Sequence, residues 1–398
     1  MNVSKRGQEI QPSPIRKLKP HADRAQKRGF RVYFLNIGQP DIPTPQPVWD
    51  AIRSYDESVL SYGPAQGFLE LRQAIADYFK FYELPIHAEN VIITIGGSEA
   101  IHFSFSVVAD PGEEIIIPEP FYTNYNGYAA FANVKISPLT LSVEDGFRLP
   151  PEKDIEERIT PRTRAILLCS PNNPTGTVYS DEELERVVRL VSNHDLFLIG
   201  DEVYKEFVYD GRRHRSVLEY KEIKDRVIVV DSISKRFSCC GARIGAVVTR
   251  SDRIYQTLLK FAQARLCPPS VEQKAALAAY RMPKDYFEEV RCEYQKRRDI
   301  LYEGLKDIPG IVIHKPQGAF YLIVGLPIEN AEHFVVWMLD DFHLDSETVM
   351  VAPAQGFYAS AHKGRNEVRI AYVLKEEDLK RAIQVFKAGL ERYLTLFS

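Results

Sequence analysis

Little in this chain of 398 residues points to a specialised environment. Cysteine is scarce. Cys169, Cys239, Cys240, Cys267 and Cys292 are an odd set without metal-ligand spacing, which argues against a disulfide framework and against a bound metal. Cys239 and Cys240 are adjacent and read as small buried thiols rather than a redox pair. No apolar run approaches the length of a membrane span, and the early Lys5, Arg6, Arg16, Lys17 and Lys19 are followed by no apolar stretch of the signal-peptide kind. A formal net charge of −3 gives no footing for nucleic acid or an anionic membrane. Internal repeats, low-complexity linkers and a helix-turn-helix extension are missing as well. These absences predict a cytoplasmic protein with no nucleic-acid partner, no membrane partner and no metal.

The composition that remains is that of an ordinary globular protein, 45% hydrophobic and 26% charged, and its length suggests two domains. Short apolar runs at 91–95, 114–117, 164–169, 196–199 and 227–230 read as strands, and helical patterns lie between them. Ser180, followed by Glu183, marks a capping box at one helix start. Strand and helix alternate from about residue 90 to about residue 250, which predicts an α/β unit with a mostly parallel sheet flanked by helices. A long helix over 285–308 leads into a second, smaller α+β unit with strands at 311–314, 320–324 and 367–372 and helices at 334–341 and 376–393. Residues 1–30 read as a polar arm with only Ile15, Leu18 and Ala22 to pack, before a strand over 30–37. The expected division is 1–44 for the arm and part of the small domain, 45–284 for the large domain, and 285–398 for the small domain.

Chemistry gathers at the strand ends, where open α/β sheets bind their ligands. Lys235 follows the apolar run 227–230, close enough to a buried strand for its amine to be desolvated into a nucleophile. Gly96 and Gly97 open a helix after the run 91–95, and such a turn offers unpaired N–H groups and a favourable dipole to an anion. It is neither a Walker loop nor a dinucleotide fingerprint. Asp201 ends the run 196–199, and an aspartate there is costly to bury unless a cation meets it. Asn172 and Asn173 precede Pro174 in a turn that fixes their direction, and Arg369 sits inside an apolar strand where an unpaired charge would be expensive.

The string from Ser232 through Ser234 and Lys235 to Arg243 and Gly245, with S-P-N-N-P-T-G at 170–176 and G-D-E-V-Y at 200–204, resembles the class I and II aminotransferases. That resemblance implies fold type I, a seven-stranded type of large-domain sheet, and pyridoxal phosphate held as an imine on Lys235, the catalytic residue. It assigns the phosphate to Gly97, Ser98, Glu99, Ser232, Ser234 and Arg243. Tyr122 would stack on the ring, Asp201 would meet the pyridine nitrogen, and Asn173 and Tyr204 the phenolic oxygen. Tyr62 would reach the phosphate of a neighbouring subunit, which implies a homodimer. Gly38, Asn173 and Arg369 would hold the substrate carboxylate. The expected reaction is ping-pong transfer of an amino group from an L-amino acid to a 2-oxo acid, with aspartate and 2-oxoglutarate first. A C–S β-lyase on the same fold is the alternative. Some relatives carry a lysine after the glycine pair to meet an acidic side chain, whereas this chain has Ser98; Arg265, or else Arg16, is the expected replacement.

Overall fold

Continuous burial along the central strands sets the architecture of the structure, a computed structural model that describes residues 2–397. After β1 (Arg31–Phe34) the chain forms β2 (Val91–Ile95), β3 (Glu114–Glu119), β4 (Lys135–Thr140), β5 (Thr163–Cys169), β6 (Phe197–Asp201), β7 (Val227–Ser232) and β8 (Ile244–Val248). Strands β2 to β8 make one seven-stranded sheet in the order β2-β8-β7-β6-β5-β3-β4. Its pairs are parallel except those of β8, which runs against both β2 and β7. In β7, Val227 and Val229 enter one apolar cluster while Ile228 and Val230 enter another. Successive side chains point to opposite faces, so a sheet buried on both sides needs unbroken apolar runs. The helices Leu69–Phe81, Asp181–Asn193 and Ser270–Tyr280 cover one face. Gly96–Val108, Asn124–Ala132 and Asp252–Arg265 cover the other. The capping box is formed: Glu183 N donates to Ser180 Oγ at 3.2 Å, and Ser180 N to Glu183 Oε2 at 2.7 Å.

The second unit holds β9 (Val312–Ile313), β10 (Tyr321–Gly325), β11 (Glu347–Met350), β12 (Ala352–Pro353) and β13 (Glu367–Ala371). Four of them form an antiparallel sheet in the order β12-β13-β10-β9. It shares a core with the long helices Asp285–Leu305 and Glu376–Phe397. The remaining strand, β11, pairs in parallel with β1. No described helix is long and apolar enough to cross a membrane.

Three differences from the sequence expectations have physical causes. The arm is not featureless, because Lys19–Lys27 is a helix that buries Leu18, Ala22 and Ala25 in the second core. Strand β1 stops at Phe34, short of the expected residue 37. Strands β4 and β8 are absent from the sequence expectations. Strand β4 is an edge strand that tolerates Pro138, and β8 begins at the end of the lysine motif with Gly245 as its second residue. That glycine is required, since a Cβ there would lie 2.5 Å from the backbone of Gly96.

Candidate active site

The carboxyl ends of β2, β5, β6 and β7 lie on one edge of the sheet, because each of these strands runs in the same direction. They open into a cavity of 670 Å³. Lys235 reaches it from a single helical turn, Ile233–Arg236, that follows β7. Ser232 Oγ accepts from Ser234 N at 3.1 Å and starts the turn. Behind it, Arg236 and Asp231 form a fully buried ion pair, and Lys205 Nζ joins Asp231 at 3.1 Å. With its neighbour locked into the core, Lys235 faces the other way, and its Nζ donates to Gly38 O at 2.7 Å. Gly38 must lack a side chain here, because a Cβ would fall 1.8 Å from Tyr321 Oη.

Asp201 is buried at the end of β6, and no ion pair among the described residues reaches it. Its carboxylate accepts from Tyr125 Oη at 2.6 Å and, weakly, from Val203 N at 3.4 Å. Burial pushes its pKa up to about 6. Tyr204 Oη and Tyr321 Oη are 2.8 Å apart, and burial raises the Tyr204 phenol well above its ordinary value, so it remains a donor. Asn173 Oδ1 accepts from Arg369 Nη1 at 2.9 Å, on a loop held by Asn172 Oδ1, which accepts from Thr175 N at 3.1 Å. Arg369 reaches in from β13 between the rings of Tyr321 and Phe357, 4.5 and 4.8 Å from their centres. Its Nη2 donates to Asn36 O at 2.5 Å, its Nε has no partner, and burial depresses its pKa.

Gly97, Ser98, Ser232, Ser234 and Arg243 line the cavity at the start of the helix Gly96–Val108. Gly96 has φ +70°, and a Cβ on it would come 2.4 Å from an Arg243 guanidinium nitrogen, so the cation lies directly over the helix N-terminus. Unpaired helix N–H groups beside a guanidinium make an anion cradle. Tyr122 also lines the cavity, with Oη accepting from Asn124 Nδ2 at 2.8 Å.

Glu99 and Arg265 do not line this chain's cavity. Glu99 turns back on its own helix, accepting from Ile95 N at 2.9 Å and pairing with Arg265 at 2.7 Å, so its carboxylate is not part of the cavity lining. Arg265 spends its guanidinium on Glu99, Ala65 O, Ile93 O and Leu266 O. Tyr62 is 82% exposed and outside this chain's cavity, as a side chain expected to reach a neighbouring subunit must be. Conversely, Tyr321 lines the cavity and Tyr125 bonds Asp201, and no spacing marks either tyrosine; Cys240, expected to be buried, is only half-buried because it too lines the cavity. Arg16, the second choice for an added cation, lines the cavity mouth.

A ligand suited to this cavity must bring an anion to the Arg243 cradle, a cationic ring atom to Asp201, and a carbonyl to an amine. Pyridoxal phosphate has all three, and the buried carboxylate without a counter-cation fits its ring nitrogen. The seven-stranded sheet with this site at its carboxyl edge defines a pyridoxal-phosphate enzyme of fold type I. The family described as aminotransferase class I and II matches residues 32–386, and the chain belongs to it. It is 31% identical over 399 residues to an aspartate aminotransferase of Bacillus subtilis, covering 99% of this chain and 100% of that protein. It is 34% identical to an aspartate aminotransferase of Sulfurisphaera tokodaii, covering 92% of each. An alanine aminotransferase structure from Pyrococcus furiosus superposes with a TM-score of 0.90 at 31% identity, over 98% of this chain and 100% of that one. The chain is a pyridoxal-phosphate-dependent aminotransferase, and the β-lyase alternative is not favoured.

Proposed function

We propose that the chain moves the amino group of an acidic L-amino acid, aspartate first, to a 2-oxo acid such as 2-oxoglutarate. The observation that carries this reading is a pair of arginines at one cavity. Arg369, buried with a free Nε, suits the α-carboxylate, which a planar guanidinium grips through two bonds. Arg16 lies at the mouth, and no hydrogen bond or ion pair among the described residues engages its guanidinium. The two are tied through Asn36, whose O accepts from Arg369 while its Nδ2 donates to Ile15 O at 3.2 Å. Arg16 is therefore placed for a second carboxylate. Arg265 is the poorer choice because its donors are already engaged. The names of the Bacillus and Sulfurisphaera relatives support the same substrate.

When bound, pyridoxal phosphate supplies an electron sink that acidifies the substrate Cα–H. Lys235 Nζ takes that proton and returns it as acid. Asp201 would provide the counter-charge for the ring nitrogen, Tyr204 and Asn173 would donate toward the phenolic oxygen, and Tyr122 would pack on the ring. Gly97, Ser98, Ser232, Ser234 and Arg243 would hold the phosphate, with Glu99 bracing the helix start by accepting from Ile95 N. The division at 44 and 284 is part of this reading, with the site between the large sheet and the β13 arginine. So is a homodimer: Val59, Leu60 and Tyr62 are 69%, 67% and 82% exposed, and Ile95 and Leu266 are exposed as well. A cytoplasmic location agrees with five free thiols.

Steady-state rates with aspartate, glutamate, alanine and an aromatic donor against 2-oxoglutarate test the proposal. Arg16→Ala should raise KM for the acidic donors relative to alanine by at least about fivefold, a modest figure because the group is exposed. An equal effect on every donor would remove the basis for acidic preference.

A further inference from the structure

The strongest hydrogen bond that Asp201 receives comes from a residue to which the sequence motifs give no task. Tyr125 is fully buried on the helix Asn124–Ala132, and its Oη lies 2.6 Å from Asp201 Oδ2. The remaining contact, from Val203 N to Oδ1, is long at 3.4 Å. The phenol is not free to swing away: its ring packs 5.9 Å from that of Phe121 and meets Tyr122 edge-on at 5.6 Å. We propose that Tyr125 is a positioning residue that keeps Asp201 ionised and aimed at the cofactor's ring nitrogen. The proposal rests on the assignment of Asp201 made above.

The surroundings of Asp201 otherwise oppose its charge. Cys169 faces it from β5, Asp231 from β7, Tyr122 from the segment before the helix, and Glu202 is its neighbour in sequence. Burial is the largest influence and favours the neutral acid, and the Asp231 and Glu202 carboxylates push in the same direction. Tyr125, first, and then the Val203 amide favour the anion. Burial, reinforced by Asp201 itself, raises the Tyr125 phenol well above its ordinary value, so the proton stays on the tyrosine and the bond keeps its direction. A hydrogen bond to an ionised acceptor is among the stronger ones in proteins, and its removal leaves a buried anion under-solvated.

The test is equilibrium dialysis of pyridoxal phosphate against the full chain across the range from about pH 5 to about pH 8. Tyr125→Phe should weaken binding at least about tenfold at neutral pH. It should also move the acid limb of affinity upward by about one pH unit, since an acid deprived of its donor holds its proton longer. 3-Fluorotyrosine at position 125, a better donor of almost the same shape, should move the limb downward; this form also serves if the phenylalanine variant does not fold. In an Asp201→Asn background, Tyr125→Phe should change neither affinity nor pH dependence. An unmoved limb in both forms, or an equal loss with asparagine at 201, would overturn the proposal. If Asp201→Asn alone left binding unchanged, the assignment of Asp201 would fail instead.

Discussion

Asp201 shows how one burial decision becomes measurable. Its pKa rises from an ordinary 3.8 to about 6 because the folded chain withholds water from it. Without cofactor, the folded state therefore keeps a proton that the unfolded chain has already released between those values. Its contribution to stability is accordingly lost as pH rises from about 4 to about 6. An asparagine cannot titrate, so the cofactor-free Asp201→Asn protein should gain on the parent by up to ~3 kcal/mol over that interval. Denaturation midpoints at the two ends check this, and a difference independent of pH would mean that the carboxylate is ionised without cost. Asp201, Lys235 and Asn173 were legible because each follows an apolar run and sits in an uncommon string of residues. Tyr125 was not: the chain has 21 tyrosines, and only tertiary packing places this one against the carboxylate. The Arg265–Glu99 contact was equally illegible, since the two residues are 166 positions apart in sequence.

At the scale of elements, the turn after β7 depends on what lies behind it. Arg236 and Asp231 are both wholly buried, and Arg236 also lies 4.6 Å over the Tyr78 ring. Removing one partner of such a pair strands the other charge. Arg236→Ala should destabilise the protein by about 3–5 kcal/mol, offset in part by Lys205, and should loosen Lys235. Urea unfolding checks the first effect; a variant within about 1 kcal/mol of the parent would mean that Lys205 alone holds Asp231. Elements with strong local signals, such as the helix capped by Ser180, stood out in the sequence. Those whose signal is shared or interrupted did not. The helix Ala331–Asp340 starts earlier than its apolar residues suggest, because Asn330 Oδ1 caps it by accepting from Glu332 N and His333 N. β11 is four residues long and gains its place only by pairing with β1, more than 300 residues earlier in the chain.

At the scale of the whole molecule, the exposure of Val59, Leu60 and Tyr62 along one short segment predicts association. Sedimentation should give a dimer at assay concentrations, and Tyr62→Asp should shift it toward monomer with loss of cofactor affinity; an active monomer would remove the shared-site reading. The fold itself brings β2, β5, β6, β7 and the distant β13 to one cavity, and Lys235 lies where they meet. The most direct test of that convergence is borohydride reduction of the purified holoenzyme, followed by peptide mass spectrometry. The account predicts the cofactor's mass on the peptide containing Lys235, and no fixed cofactor in Lys235→Ala. Attachment at any other lysine, or fixation that survives the substitution, would contradict it.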